Sequence, residues 1–156
     1  MSTATGIDPR GPRFGAAITG VLLLIVIGLA IAFPTSPVST VLFAIITGIF
    51  AWGAFAGIKR HPYGLFFKKF IRPRLAAPSE LEDPIPPTFA QGVGFVITGV
   101  GLVLGLLGVP YAIVVAAAFA FIAAFLNSVF GYCLGCQIYL LLVRARVLGR
   151  KAPTSA

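Results

Sequence analysis

The sequence predicts an all-α membrane protein with four transmembrane helices, arranged as two helical hairpins that repeat in parallel. Of its 156 residues, 58% are hydrophobic and only 10% are charged, whereas roughly a quarter of a soluble domain is charged. The apolar residues form runs close to the ~20 helical residues that cross a hydrocarbon core. All twelve Lys and Arg lie outside these runs. We expect the four spans to form one domain over residues 1–156.

The first predicted hairpin has spans over residues 14–33 and 38–58. The uncharged, Pro-containing segment 34–37 separates them. Ala30 and Ala32 have the small-x-small spacing of a signal-peptidase site, but the apolar run is longer than that of a usual signal peptide. We therefore expect the first span to remain in the protein.

Residues 59–88 form the predicted cytoplasmic loop. The stretch 63–74 mixes aromatic and aliphatic residues with four cations, which favours a helix that lies in the lipid interface. The stretch 76–88 is polar and rich in Pro, which is typical of a loop.

The second predicted hairpin has spans over residues 89–107 and 111–130. The apolar run that begins at Tyr111 continues to about Val143. At about 1.5 Å per residue it would be about 50 Å long as one helix, too long for a single straight span. We therefore expect a break after about Phe130, in a turn or kink that carries the cysteines. A second interfacial helix from Gln137 then begins the predicted cytoplasmic tail, residues 137–156.

Positive charge predicts the orientation. The Lys and Arg residues lie in the N-terminal head, the middle loop and the C-terminal tail, and the two short connections carry none. Because cytoplasmic segments are enriched in Lys and Arg, we expect a multi-pass protein of the inner (plasma) membrane with both termini in the cytoplasm. The net charge of +8 then faces anionic lipid, and no nucleic-acid partner is expected.

An internal repeat relates the two halves. Pro12-Arg13-Phe14 opens the first hairpin and Pro87-Thr88-Phe89 opens the second. In this alignment His61-Pro62-Tyr63-Gly64 corresponds to Cys133-Leu134-Gly135-Cys136, and the two segments would face each other at the cytoplasmic surface. The alternative is that any two membrane hairpins look alike.

Cys133 and Cys136 are the candidate catalytic residues. Two cysteines at this spacing can form and break a local disulfide, and a cytosolic C-x-x-C is more often redox-active or metal-binding than structural. We expect no cofactor, because Gln137 stands where a haem-attachment motif needs His.

Zinc needs about four ligands. One chain offers the two cysteines, His61 and the loop carboxylates Glu80, Glu82 or Asp83, and a dimer could pool two cysteine pairs, so a metal site remains open. The cysteines are otherwise small apolar fillers.

The other polar candidates are weaker. We expect His61 to be an interfacial residue rather than a base, and the Asn127 amide to bond another helix or a freed carbonyl. The acidic residues Glu80, Glu82 and Asp83 are expected in a solvated loop.

A single cysteine pair on one side cannot carry electrons across the bilayer unless a quinone or a partner helps.

Several stretches together resemble one known family; they are Asp8-Pro9-Arg10-Gly11-Pro12-Arg13-Phe14, His61-Pro62-Tyr63-Gly64, Glu80-Leu81-Glu82-Asp83-Pro84, Phe89-Ala90-Gln91 and Gly131-Tyr132-Cys133-Leu134-Gly135-Cys136-Gln137-Ile138-Tyr139. The sequence resembles the bacterial membrane family catalogued as domain of unknown function 4395, common in actinobacteria. The resemblance covers nearly the whole chain, and the cysteine motif is its most specific part.

The resemblance implies a four-span membrane protein without an assigned activity. Members are often encoded near thioredoxin-like proteins and thiosulfate sulfurtransferases, which is an association rather than a mechanism. It favours a membrane-anchored thiol–disulfide or sulfur-relay partner of such a cytoplasmic protein. The alternatives are a metal-binding protein and a non-catalytic scaffold or homo-oligomer, packed through glycines four apart such as Gly53 and Gly57.

Overall fold

The computed structural model describes residues 6–148 and confirms the predicted all-α membrane fold. Within this range the chain forms helices and turns but no strand. The tail expected beyond residue 148 lies outside the described residues. The α-helices are α1 (Arg10–Ala32), α2 (Pro37–Ala56), α3 (Pro62–Phe66), α4 (Ile85–Leu106), α5 (Ala112–Phe130) and α6 (Leu134–Arg144).

Four of these helices are long and apolar enough to cross a membrane. They are α1, α2, α4 and α5, with 23, 20, 22 and 19 residues. Their outward side chains are exposed without protein cover, as at Phe55, which is 80% exposed. Lipid is the solvent that makes such a surface favourable, so this is a multi-pass membrane protein.

The two predicted short helices are both present, with different bounds. After α2 the chain forms α3, a π-helical turn over Phe67–Ile71 and a 3₁₀ turn over Arg72–Arg74. After α5 it forms α6, which begins at Leu134 rather than at the expected Gln137 because Cys133 caps its N-terminus. Their position in the lipid interface stays a prediction.

The most extensive helix contacts in the bundle join one hairpin to the other. Helix α1 packs most extensively on α5, and α2 packs most extensively on α4. A two-fold rotation that exchanges the hairpins converts one of these pairs into the other, as the predicted parallel repeat requires. The buried core of this packing comes from three helices; it contains Leu23, Val26, Phe43, Ile46, Ala116, Ala117 and Ala120.

Both hairpins begin at the same end of the bundle. Ile7 and Glu82, just before α1 and α4, exchange two backbone hydrogen bonds of 2.9 Å. The Ile58 N–H after α2 donates to Thr88 Oγ1 at 3.1 Å. We call this the charged end, comprising residues 6–13, 57–88 and 131–148, and it holds every charged residue that the structure describes.

The aromatic packing at the charged end repeats between the halves. Near the start of α1, the ring of Phe14 lies 6.2 Å from the ring of Phe66 in α3 and 5.8 Å from the ring of Phe67, which directly follows α3. Near the start of α4, the ring of Phe89 lies 5.5 Å from the ring of Tyr139 in α6. Each hairpin therefore folds its short helix back onto its own first helix.

A close small-residue contact repeats beside each aromatic pair. In the first half Gly15 packs against the Tyr63 side chain, which a Cβ at Gly15 would approach to 3.5 Å. In the second half Gly135 packs against Ala90, whose Cβ would lie 2.5 Å from a Cβ at Gly135. The glycine lies on the first helix of the hairpin, α1, in the first half, and on the short helix, α6, in the second half. In both halves the short helix closely approaches the first helix of its own hairpin.

Gly101 sets the closest approach between α4 and α5. A Cβ at Gly101 would overlap the Cβ of Ala116, so Gly101→Ala forces these helices apart. We expect this substitution to destabilise the protein by about 1–3 kcal/mol, the usual cost of overpacking. The free energy of unfolding in mixed micelles measures it.

Gly99→Ala is the matched control, because Gly99 lies in the same helix and a Cβ there would meet nothing within 4 Å. Equal unfolding free energies for the two variants would contradict the close packing of α4 on α5.

Candidate functional site

The chain breaks after α5 and turns into α6 at the cysteine motif. Gly131 ends α5 in the left-handed conformation, with φ +66°. Its N–H donates to the Asn127 carbonyl at 3.1 Å, and the Tyr132 N–H donates to the Leu126 carbonyl at 3.1 Å. These bonds satisfy carbonyls that the end of a helix would leave unpaired. The long apolar run therefore breaks in the region where its length required a break.

Cys133 is the N-cap residue of α6. Its Sγ accepts the Cys136 N–H at 3.3 Å, in the way that a Ser or Asp oxygen accepts at most helix N-termini. The two cysteines are joined in a disulfide, with their Cα atoms 5.2 Å apart. When the pair is reduced, the N-terminus of α6 stabilises negative charge on Cys133 Sγ.

His61 occupies the corresponding place before α3. Its Nδ1 accepts the Tyr63 N–H at 3.3 Å, so the imidazole caps α3 as Cys133 Sγ caps α6. The membrane-interface position expected for His61 stays a prediction, and the structure shows that this residue is buried within the protein, with 4% of its surface exposed. The side chain points into the bundle, beside the Tyr63 ring at 5.1 Å.

Gly53 in α2 makes room for this histidine. A Cβ at Gly53 would lie 2.8 Å from His61 Cδ2 and 2.9 Å from Gln91 Oε1. The sequence pattern of Gly53 and Gly57 suggested a helix-packing face, but Gly53 instead admits two polar side chains. A glycine eight residues before a histidine was the only available signal, and it does not say which helix lies opposite.

Burial controls the protonation of the His61 and Tyr63 side chains. Desolvation lowers the pKa of His61 below its ordinary value and raises the pKa of the Tyr63 phenol. Both side chains are therefore neutral near pH 7. Because Nδ1 accepts a hydrogen bond, the neutral imidazole carries its proton on Nε2.

A cavity of about 840 Å³ lies between two corners of the chain, the one at His61 where α3 begins and the one at Cys133 where α6 begins. It is lined by His61 and Tyr63 from the first half and by Cys133 and Cys136 from the second. The predicted juxtaposition of the two corner segments is confirmed in this respect. Sequence reasoning missed Gln91, whose carboxamide also lines the cavity.

The Asn127 amide also lines this cavity. The expected hydrogen bond to another helix is not formed, since its side chain bonds to none of residues 6–148. Only the Asn127 carbonyl takes part, by accepting from Gly131. The Asn127 side chain therefore lies beside the cavity instead of being hydrogen-bonded to a neighbouring helix.

Charged groups surround the rim of the cavity. Asp8 is 8% exposed and accepts a hydrogen bond from Arg10 Nη2 at 2.7 Å, with Arg72 Nε at 3.9 Å. The hydrogen bond from Arg10 holds the pKa of Asp8 below its ordinary value. Arg13 lies against Gly131 and donates to the Val129 carbonyl at 3.5 Å.

The acidic loop is only partly free in solvent. Glu82 is exposed but its backbone pairs with Ile7, and Asp83 Oδ1 accepts the Ile85 N–H at 2.9 Å at the start of α4. Over residues 6–148 no three His, Cys, Asp or Glu side chains come together to hold a metal ion.

Comparison with known families identifies the chain. The model of a family described as a domain of unknown function, DUF4395, matches residues 7–144. This chain belongs to that family. No curated protein and no solved structure matches it. The match covers both hairpins and the cysteine corner, so the fold described above is that of the family domain in this chain.

The lowered pKa of His61 predicts a pH dependence of stability. As pH falls below about 6.5, the unfolded chain binds a proton at this histidine before the folded chain does. We therefore expect the melting temperature to fall between about pH 7 and pH 5. His61→Asn keeps a capping acceptor for α3 and should flatten this part of the profile.

Thermal unfolding of both proteins in detergent at a series of pH values measures the effect. The paired carboxylate of Asp8 does not interfere, because its stabilisation is lost only as pH falls through about 4 and below. A wild-type profile that is flat from neutral pH to about pH 5 would show that His61 is not desolvated in solution.

Proposed function

We propose that this protein is a membrane-anchored dithiol–disulfide exchange protein that serves a cytoplasmic partner. The observation that carries the proposal is the position of Cys133 Sγ at the N-cap of α6, bonded to Cys136. A sulfur in this position is a stabilised thiolate when reduced, and the thiolate is the nucleophile of exchange. The neighbouring Cys136 is placed to resolve the mixed disulfide.

The exchange proceeds in two balanced steps. The Cys133 thiolate attacks one sulfur of a partner disulfide, which forms a mixed disulfide and releases the other partner sulfur as a thiolate. Cys136 then loses its proton to solvent and attacks Cys133 Sγ, which releases the second partner thiolate. The partner gains two electrons, and Cys133–Cys136 becomes the disulfide that the structure contains.

A thioredoxin-like protein is the first partner class, because it exposes a dithiol or disulfide for this exchange. A thiosulfate sulfurtransferase is the second. In that case Cys133 attacks the outer sulfur of the enzyme's persulfide, and Cys136 then releases it as hydrosulfide while the disulfide closes. Both partners use the same nucleophile and the same resolving thiol.

The charge distribution supports a cytoplasmic site. The two turns at the far end, residues 33–36 and 107–111, contain no Lys or Arg. The charged end contains all the described cations and also the cysteine corner. Under the positive-inside rule, the termini and Cys133 then face the cytoplasm of a bacterial inner membrane.

The Cys136→Ser variant tests the exchange chemistry. Without a resolving thiol, the mixed disulfide on Cys133 should persist, and we expect a covalent adduct with a thioredoxin-like protein. With a sulfurtransferase, the enzyme leaves as a thiolate, and we expect Cys133 to keep the transferred sulfur as a persulfide. Non-reducing electrophoresis of membranes from expressing cells, followed by mass spectrometry of the linked peptide, detects the adduct. Cys133→Ser should form far less of the adduct, because Cys136 lacks the capping position.

The double variant, with both cysteines replaced by Ser, controls for unrelated crosslinks. The proposal fails if neither single variant forms an adduct and the wild-type disulfide does not reduce and reform in a redox titration.

A membrane-impermeant thiol reagent tests the orientation. After reduction, we expect Cys133 and Cys136 to react in inside-out vesicles and to be protected in right-side-out vesicles, because the corner lies at the charged end. Mass spectrometry of the modified peptide measures the labelled fraction. Reaction in right-side-out vesicles alone would place the site on the opposite face and remove the cytoplasmic partner.

A further inference from the structure

The cavity beside the disulfide reaches far into the membrane-spanning part of the bundle. On α5 its lining runs from Phe119 to Asn127, which is about 12 Å along the helix at about 1.5 Å per residue. On α4 its lining runs from Pro86 to Ile97. The deep part of the cavity is apolar, and the end beside the cysteines is polar.

The volume of about 840 Å³ falls within the ~300–1,000 Å³ that is usual for small-molecule sites. A polar head at the cysteine end and an apolar tail along Ile97 and Ala120 would match this lining. The cavity therefore suits an elongated amphipathic molecule rather than a small hydrophilic one.

The polar groups at the head of the cavity are uncharged hydrogen-bond donors. His61 carries its proton on Nε2, and the carboxamides of Gln91 and Asn127 each provide two N–H donors. None of residues 6–148 accepts a hydrogen bond from these donors. Among the same residues, every side-chain N or O atom that is fully buried has a hydrogen-bond partner. The donors therefore have access to the open space of the cavity.

Neutral donors of this kind recognise carbonyl oxygens. An anionic head would require a cation beside these donors. Of the cations that line the cavity, Arg13, Lys59 and Lys68 are exposed. The fourth, Arg72, lies 3.9 Å from the carboxylate of Asp8. A molecule with uncharged carbonyl oxygens and a long apolar tail satisfies both ends of the cavity.

We propose that the cavity binds a membrane quinone, with its carbonyl oxygens near His61, Gln91 and Asn127, and that this quinone oxidises the reduced Cys133–Cys136 pair. The inference rests on the proposed exchange function, since it needs a pair that cycles. The Cys136 S–H bond breaks and one S–S bond forms with the Cys133 thiolate. The quinone accepts two electrons from the pair, one proton from Cys136 and one from solvent, and becomes the quinol.

This assignment explains how a cysteine pair on one face takes part in a membrane redox process. The sulfurs do not need to reach the other side of the bilayer, because the quinol leaves laterally through lipid with the electrons. Thiol–disulfide exchange is reversible, so a partner dithiol can also reduce the pair: its thiolate attacks Cys133 Sγ and releases the Cys136 thiolate, and its second thiol then displaces Cys133 and closes the partner disulfide. The quinone reoxidises the pair, so each such cycle would transfer two electrons from a cytoplasmic dithiol partner to the quinone pool. The cavity would thus give the exchange reaction a defined electron acceptor.

The purified full-length chain, reduced and desalted without oxygen in lipid nanodiscs, provides the test. Decyl-ubiquinone is a suitable probe, because its ring is fully substituted and a thiol does not add to it. We expect saturable quinol formation, with one quinone reduced for each Cys133–Cys136 pair oxidised. Quinone absorbance and free-thiol titration measure the two sides of this balance.

Gln91→Leu and Asn127→Leu remove the proposed donors with little change in size. We expect each to raise the half-saturating quinone concentration about tenfold, the effect of losing one hydrogen bond to a buried carbonyl. The rate with glutathione disulfide, measured on each variant, provides a reference for folding and thiol reactivity. Ser128→Ala is the matched control, since its hydroxyl bonds the Phe125 carbonyl at 3.1 Å and does not line the cavity.

The outcomes separate the two proposals. A pair that glutathione disulfide oxidises but the quinone does not would overturn the quinone site and leave the exchange function intact. Unsaturable oxidation, equal in wild type, Gln91→Leu and Asn127→Leu, would overturn the site as well. A reduced pair that reacts with neither oxidant would overturn both proposals.

Discussion

The packing of each hairpin's first helix on the second helix of the other hairpin is the constraint on which the rest of the structure depends. Because α1 lies on α5 and α2 lies on α4, the chain that leaves each hairpin emerges beside the start of the other. The capped corners at His61 and Cys133 are thereby brought to one end of the bundle. They line one cavity although they are far apart in sequence.

Small residues allow this arrangement without an apolar driving force between helices. In lipid, helix association depends on close backbone approach and on hydrogen bonds. Gly101 provides such an approach between α4 and α5, whereas Gly53 provides space for His61 and Gln91. Glycines therefore have two different roles here, one in packing and one in leaving a polar pocket inside an apolar bundle.

The two corners share one local design but differ in chemistry. Each places a side chain at an N-cap, and each short helix returns to its own hairpin through an aromatic pair. One cap is a neutral imidazole and the other is a sulfur that can change its oxidation state. An internal repeat has in this way placed a redox-capable group opposite a neutral hydrogen-bond donor.

The sequence by itself determined the all-α class, the four spans, the shared end of the two hairpins and the break at the cysteine motif. Hydrocarbon thickness and the need to satisfy every backbone hydrogen bond act on each segment separately, so a segment's own residues report them. The candidate pair of cysteines also follows from local spacing. The capping role of Cys133 does not, because the sequence predicted the start of α6 at Gln137 and the structure has it at Leu134.

Only the tertiary structure decided that His61 is buried and that Gln91 and Asn127 line the cavity with the disulfide. Those outcomes depend on which helix lies opposite Gly53 and on how much space remains between the hairpins. Periodicity within one helix identifies its small or polar positions but not the group that will face them. Burial of a polar residue at the end of a span is therefore a property of the packed bundle.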